Sequence, residues 1–164
     1  MGLSTPGWGA GRPIWPAPGL AAEYQPNWDP ERAGPIEVGI DAVEIARIRD
    51  ALTRFGDRFL TRIYTPRERE RYGARPAELA ARFAAKEAVM KALGTGVRGV
   101  RWRDIEVMPN ARGKPVVVLY DTARARAAAL GLHHFAISLT HSRTEAIAMV
   151  VATPATPSTD ADAT

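Results

Sequence analysis

The sequence contains no cysteine, and its 164 residues include only three histidines. Without cysteine the protein can form no disulfide, no thiolate zinc site and no cysteine nucleophile. Carboxylates are therefore the main candidate metal ligands, and oxygen ligands favour magnesium, calcium or manganese over zinc or copper. No apolar run approaches the ~18 residues that a membrane span requires, and the N-terminus lacks the basic-then-apolar order of a signal peptide. We therefore expect a cytoplasmic protein that does not bind membranes.

Proline and glycine are concentrated at the N-terminus. Residues 1–35 hold seven of the 13 prolines, six of the 14 glycines and three of the four tryptophans. Such a composition orders itself poorly, which predicts a disordered arm over 1–35; a flexible tail is predicted over 153–164. Alternatively, Trp8, Trp15 and Trp28 dock on a partner. The segment 36–152 between these ends is predicted to be a single folded domain.

Positive charge is in excess within this domain, where 20 Arg and Lys residues face 13 Asp and Glu residues. The excess indicates a polyanionic partner, which is a nucleic acid, a phosphorylated ligand or an acidic protein surface. A basic nucleic-acid-binding module is the rival to an enzyme. We expect no nucleic-acid partner, because few aromatic rings remain for base stacking. The phenylalanines predicted to be buried are Phe55, Phe59, Phe83 and Phe135.

Hydrophobic periodicity predicts an α+β domain in which helices pack on antiparallel strands, in the order β-ααα-ββ-α-ββ. The predicted strands are 36–42, 104–108, 115–120, 134–140 and 145–152. The predicted helices run from about 43 to 60, from a capping box at Thr65 to Tyr72, from Pro76 to Leu93 before Gly94, and from a cap at Asp121 and Thr122 to Gly131.

Two carboxylates are candidate metal ligands. Asp41 is predicted at the C-terminal end of the first strand, where its alternative role is to cap the following helix. Glu87 and Lys91 lie one turn apart on a helical stripe beside buried residues, which suits a divalent cation that bridges phosphates. Alternatively, they form an ordinary surface ion pair. The segment Gly94-Thr95-Gly96 can offer N–H groups and a hydroxyl to a phosphate or ribose.

Four segments carry a family resemblance: GIDAVEIARI (39–48), RFAAKEAVMKALGTG (82–96), DIEVMPNARGKPVVVL (104–119) and SLTHSRTEAIAMVVA (138–152). In order and spacing they resemble the signature blocks of bacterial holo-[acyl-carrier-protein] synthases, the small type of 4′-phosphopantetheinyl transferase. This family moves the 4′-phosphopantetheine arm of coenzyme A to a serine of apo acyl carrier protein and releases adenosine 3′,5′-bisphosphate. The resemblance implies this activity, for fatty acid or polyketide biosynthesis, with magnesium as cofactor and a homotrimer with shared clefts.

The resemblance also implies roles for individual residues. Asp41 and Glu87 would bind magnesium, and Lys91 would contact the pyrophosphate, so that Glu87 and Lys91 are the catalytic candidates. The other positions that would lie near coenzyme A are Arg82, Gly94, Thr95, Gly96, Lys114, Pro115, Ser138 and His141. On a common face of the first predicted helix, Arg47, Arg54 and Arg58 would bind the acidic carrier protein; alternatively, they are solvated surface charges. Water at the metal, Glu87 or a carrier carboxylate could accept the serine proton, and the sequence leaves this open.

Overall fold

The structure, a computed structural model, describes residues 36–73 and 75–155, all of which lie in one compact unit within 31–164. The predicted arm over 1–35, with its three tryptophans, and residues 156–164 of the predicted tail lie outside the described residues. None of the helices in the two described stretches is long and apolar enough to cross a bilayer.

The described residues form helices and strands in an order close to the predicted one. The elements are β1 (Glu37–Glu44), α1 (Ile45–Phe55), α2 (Asp57–Ile63), α3 (Pro66–Tyr72), α4 (Pro76–Ala92), α5 (Gly96–Gly99), a 3-10 turn (Trp102–Asp104), β2 (Ile105–Pro109), β3 (Pro115–Leu119), α6 (Asp121–Ala129), β4 (Leu132–His141) and β5 (Glu145–Pro154). The predicted α+β class is confirmed. The prediction missed the separation of α2 from α1, the short α5 and the 3-10 turn.

The strands form two antiparallel sheets. One has the strand order β1-β5-β4, and the other is the β2-β3 hairpin. Helix α4 packs on one face of the three-stranded sheet, which we call the inner face. Small buried residues on both sides, such as Ala148 on β5 and Ala85 on α4, allow the helix to approach closely. On the opposite, outer face of this sheet, large apolar side chains such as Ile40 and Met149 are exposed.

The prediction of a single helix from 43 to 60 is wrong about where the helix starts and about its continuity. Strand β1 continues to Glu44, because all eight of its residues pair with β5. The helix then breaks at Gly56, whose φ of +49° lies in the left-handed region that glycine tolerates best. The break leaves the Phe55 side chain 48% exposed, so its predicted burial is also wrong.

Two further end-of-element predictions have mixed outcomes. The capping box of α3 is confirmed, since Glu68 N–H donates to Thr65 Oγ1 at 3.3 Å and Thr65 N–H donates to Glu68 Oε2 at 2.8 Å. At α6 the predicted cap is wrong: Asp121 is the first helical residue and makes no side-chain cap. Asp104 fills that role from a distant part of the chain by accepting from the N–H of Thr122 at 3.1 Å.

The predicted domain end at residue 152 is two residues short. Strand β5 continues through Thr153, which pairs with His134, and Pro154, which pairs with Leu132. The predicted tail therefore begins inside the sheet, because cross-strand pairing with β4 holds residues whose composition alone suggested a flexible end.

Candidate active site

The candidate site lies where β1 crosses α4, and Gly39 allows these two elements to meet. A Cβ at Gly39 would overlap the carbonyl oxygen of Ala88, so the strand and the helix touch backbone to backbone. Asp41 follows two residues later and therefore points to the same inner face of the sheet, towards α4. The close approach places the Asp41 carboxylate beside the helical stripe that carries Glu87 and Lys91.

Asp41 lies within β1, where it pairs with Ala148 of β5, rather than at the strand end. Its alternative role as a helix cap is excluded, because the N-cap of α1 is Glu44 and makes no side-chain cap. The carboxylate is instead bound by Lys91, whose Nζ donates to Asp41 Oδ1 at 2.9 Å and to the carbonyl oxygen of Ile40 at 2.7 Å. The Asp41 side chain is 14% exposed and the Lys91 side chain 48% exposed.

The Glu87 carboxylate is half-buried and has no hydrogen bond or ion pair with another residue of 36–73 or 75–155. The alternative of a surface Glu87–Lys91 ion pair is therefore not what the structure shows, since Lys91 binds Asp41 instead. Burial raises the pKa of Glu87, the negative charge of Asp41 raises it further, and Lys91 and Arg47 act in the opposite direction. The carboxylates of Glu87 and Asp41 are thus close enough to repel each other across the β1–α4 contact.

Asp41 and Glu87 fit a divalent cation such as magnesium. Two carboxylates that repel each other, one of them without a partner among the described residues, are the arrangement that a cation between them stabilises. In the described part of the chain, no group of three or more His, Asp or Glu side chains could hold a metal ion. The protein would therefore supply two carboxylates, and substrate oxygens and water would complete the coordination, as is usual for magnesium.

The segment 94–96 turns the chain away at the end of α4. Gly94 and Gly96 have φ values of +65° and +54°. The N–H groups of Gly94 and Thr95 donate to the carbonyls of Lys91 and Met90, so they close the helix end and are not free to bind a phosphate. The predicted use of N–H groups is therefore wrong for Gly94 and Thr95, whereas neither of these two bonds involves the N–H of Gly96. The Thr95 hydroxyl donates to the carbonyls of Met90 and Gly96, at 3.3 and 3.1 Å, so its oxygen can only accept from a ligand. The segment also offers an exposed backbone without side chains at the glycines.

The remaining predicted coenzyme A positions do not all converge on Asp41 within one chain. Arg82 is buried, donates to Glu78 Oε2 at 2.5 Å and to Tyr72 Oη at 2.7 Å, and lies over the Tyr72 ring. Lys114 is exposed next to Pro115 at the start of β3, in the other sheet.

Ser138 and His141 lie on β4, and cross-strand pairing tells which face each occupies. Ser138 pairs with the exposed Met149 and so lies on the outer face, whereas Asp41 lies on the inner face. His141 pairs with the buried Ala146, which places it on the inner side at the end of β4.

The chain matches a known protein family over most of its described residues. The sequence model of the 4′-phosphopantetheinyl transferase superfamily covers residues 37–150, from β1 almost to the end of β5. The chain belongs to this superfamily. Its curated relatives include the holo-[acyl-carrier-protein] synthases of Herpetosiphon aurantiacus, 46% identical over 120 residues, and of Solidesulfovibrio magneticus, 50% identical over 116 residues. The alignments cover 69% and 70% of this chain and 94% of each relative.

The fold of this superfamily member is also found among solved structures. It is similar to the Helicobacter pylori holo-[acyl-carrier-protein] synthase that was crystallised with coenzyme A, with a TM-score of 0.65 and 31% sequence identity. The match covers 71% of this chain and 99% of that one. The described fold is therefore that of a holo-[acyl-carrier-protein] synthase.

The three arginines predicted to bind carrier protein do not share one helix. Arg47 and Arg54 are exposed and lie seven residues apart on α1, hence on one face. Arg58 lies on α2, beyond the break at Gly56, so the prediction of a common helical face is wrong for it. Arg58 instead lines a surface groove of about 360 Å³ with Phe55, Phe59, Arg62 and Ile63.

Sequence reasoning missed a buried polar network next to Glu87. Lys86 is fully buried and its Nζ donates to Glu68 Oε2 at 2.8 Å, to the carbonyl of Trp102 at 3.0 Å and to that of Ile105 at 2.5 Å. Burial lowers the pKa of Lys86, and the charge of Glu68 opposes this. The capping box had marked Glu68, but only as a local cap. No local pattern showed that a lysine in an alanine-rich helix is buried.

Proposed function

We propose that this superfamily member transfers 4′-phosphopantetheine from coenzyme A to a serine of apo acyl carrier protein, for fatty acid or polyketide biosynthesis. The products are holo acyl carrier protein and adenosine 3′,5′-bisphosphate. The observation that carries the proposal is the meeting of Asp41, Glu87 and Lys91 at the β1–α4 contact. Two relatives are named for that synthase activity, and this chain aligns with 94% of the length of each.

Magnesium is the proposed cofactor, with Asp41 and Glu87 as its protein ligands. When bound, it supplies positive charge beside the pyrophosphate of coenzyme A, whose oxygens accumulate negative charge during transfer. Asp41 is held in place before the ion binds, because it lies within β1 opposite Ala148 of β5 and accepts a hydrogen bond from Lys91. Glu87 is free to turn towards a ligand, since it has no bond to break among the described residues.

Lys91 is proposed to bind the pyrophosphate and to stabilise the leaving group. Its ammonium group has three N–H donors, and the structure uses two of them, for Asp41 and for the Ile40 carbonyl. The third remains for a phosphate oxygen. In the reaction, the serine hydroxyl gives its proton to a base, its oxygen forms a bond to the pantetheine-side phosphorus, and the bond from that phosphorus to the bridging oxygen breaks. The resulting negative charge on the adenosine bisphosphate is where a fixed ammonium group is most effective.

A homotrimer with shared sites is part of the proposal. If Asp41 and Ser138 act on the same coenzyme A, as the resemblance implies, they must come from different copies, because they lie on opposite faces of one sheet. The outer face also carries exposed apolar side chains. These are Ile36, Val38, Ile40, Ile147 and Met149, which are 37–60% exposed. An apolar face of this kind is typical of an interface, and the proposed occupants are other copies of this chain.

The test mixes the protein with coenzyme A, magnesium and apo acyl carrier proteins from fatty acid and polyketide systems, and weighs each carrier by mass spectrometry. The expected result is a mass gain of one 4′-phosphopantetheine that requires both the enzyme and coenzyme A and disappears with a magnesium chelator. No gain on any of these carriers contradicts the proposal. Strongly salt-dependent binding to random DNA, unaffected by Asp41→Asn, would instead support the nucleic-acid rival.

A further inference from the structure

Four arginines line one hollow on the surface beside the predicted carrier-binding residues. The hollow has a volume of about 390 Å³ and lies between α2, the segment 97–103 and the start of α6. Its arginines are Arg62, Arg98, Arg101 and Arg103, and the lining includes no carboxylate residue. Such a concentration of one charge on a concave surface attracts anions.

Three of the four guanidinium groups have no partner within the described chain. Arg101 is paired, because it donates to Asp104 at 3.1 Å and to Asp121 at 3.0 Å. Arg62, Arg98 and Arg103 make no hydrogen bond or ion pair with a residue of 36–73 or 75–155. Their charges are therefore available to an anion from outside. Guanidinium groups bind carboxylates with two parallel hydrogen bonds, which makes an acidic protein segment a suitable ligand.

The hollow adjoins the groove on α2, because Arg62 lines both of them. The groove adds Arg58 to this region, and the hollow adds Arg98 and Arg103. We propose that the hollow binds a second acidic segment of the apo carrier protein, beyond the one expected at Arg47 and Arg54. This inference rests on the proposed transferase function. It makes Arg98 and Arg103 determinants of which carrier proteins the enzyme accepts.

Two observations favour a carrier protein over other anions. Neither Lys91 nor the segment 94–96, where coenzyme A is expected, lines the hollow. Trp102 is its one aromatic residue, and the Trp102 ring is stacked on Phe83 with 4.6 Å between the ring centroids. A half-buried ring with one face covered offers little surface to the bases of a nucleic acid. Carboxylates need no such surface.

The experiment compares the hollow variant Arg98→Gln/Arg103→Gln with the control variant Arg75→Gln/Arg124→Gln, which loses the same two positive charges. Arg75 and Arg124 are exposed and do not line the hollow. Steady-state kinetics are measured separately against apo carrier protein and against coenzyme A. In the hollow variant, KM for the carrier should rise about tenfold and depend less steeply on salt. KM for coenzyme A and kcat should stay within about twofold of wild type, as should all parameters of the control.

Each other outcome overturns the inference. If the two variants have the same KM for the carrier, the hollow does not bind it. If KM for coenzyme A rises instead, the hollow is a nucleotide site; lost affinity for random DNA with an unchanged carrier KM would indicate a nucleic-acid site. A loss of the oligomer in light scattering would place the hollow between copies of the chain. Inactivity of the wild type and the control would show that the transferase function itself is wrong.

Discussion

The Glu87 carboxylate makes no hydrogen bond or ion pair with the described residues. It is half-buried, and both burial and the charge of Asp41 raise its pKa, so the free protein gains nothing from keeping an acid at this position. Unpaired groups in such settings are more often retained for a ligand than for stability. The neighbouring Lys91 does not satisfy it, because its two bonds go to Asp41 and Ile40.

We predict that Glu87→Gln abolishes transfer and leaves the fold intact. The amide keeps the size of the side chain but removes one of the two charges proposed to hold magnesium, so kcat should fall by about a hundredfold or more. No internal hydrogen bond or ion pair is lost, and repulsion with Asp41 is relieved, so the melting temperature should not fall. The measurements are the transfer rate, binding of Mn²⁺ by electron paramagnetic resonance, and thermal unfolding followed by circular dichroism.

Glu70→Gln is the matched control, because Glu70 is exposed on α3 and has no partner among the described residues. It should bind Mn²⁺ and transfer as the wild type does. Near-normal turnover of Glu87→Gln would show that Glu87 does not serve the metal.

At the scale of elements, a buried network fixes α4 relative to its neighbours. Glu68 accepts from the N–H of Thr65 at the start of α3, from the N–H of Val107 on β2 and from Lys86 on α4. Lys86 in turn binds two carbonyls around the 3-10 turn. Glu87 follows Lys86 directly, so the network anchors the helix at the position where the candidate site lies.

We predict that Lys86→Met strongly destabilises the protein. The substitution leaves Glu68 as a buried charge without its cation, which costs about 3–5 kcal/mol. The melting temperature should drop by roughly 10 °C or more. The double variant Lys86→Met/Glu68→Gln should recover part of this loss, because it removes the uncompensated charge. Exposed Lys114→Met is the control and should melt like the wild type. Equal melting of Lys86→Met and this control would mean that the pair contributes nothing.

At the scale of the whole molecule, the two faces of the three-stranded sheet differ in what covers them. Helix α4 covers the inner face, where the side chains are small and buried. The outer face presents Ile40, which is 58% exposed, next to Met149, which is 45% exposed and pairs with it across β1 and β5. Association of copies through this face would bury these apolar side chains and would bring the outer-face Ser138 of one copy towards another.

We predict that Met149→Glu converts the proposed trimer to a monomer of 17.8 kDa in light scattering. Association would bury the new carboxylate of every copy in the interface without a partner, and this cost opposes association. Because Met149 is exposed in the single chain, far-ultraviolet circular dichroism should be unchanged. Ala125→Glu, on the exposed side of α6, is the control and should remain trimeric. A Met149→Glu variant with the wild-type mass would place the interface elsewhere.

Much of the architecture follows from local physical chemistry. Period-two and period-3.6 patterns predicted the class and nearly all elements, because burial of one face dictates both periods. The α3 capping box and the end of α4 at Gly94 needed only neighbouring residues. The break at Gly56 was missed because the spacing of apolar residues continues across it. The helical backbone conformation, however, ends there, since Gly56 has a positive φ. Asp41, Glu87 and Lys91 were also accessible from the sequence, because their place on a strand and a helical stripe and the order of the four family segments are features of the chain itself.

The class, the family and the candidate residues therefore follow from the order of residues along the chain. The contacts that those residues make follow from the packing of the folded chain. Lys91 binds Asp41 rather than Glu87, because Gly39 brings β1 against α4. Asp104 caps α6 in place of Asp121, and Lys86 is buried with Glu68. Each of these contacts joins residues far apart in the chain. Their partners are set by the packing of whole elements, which local patterns do not encode.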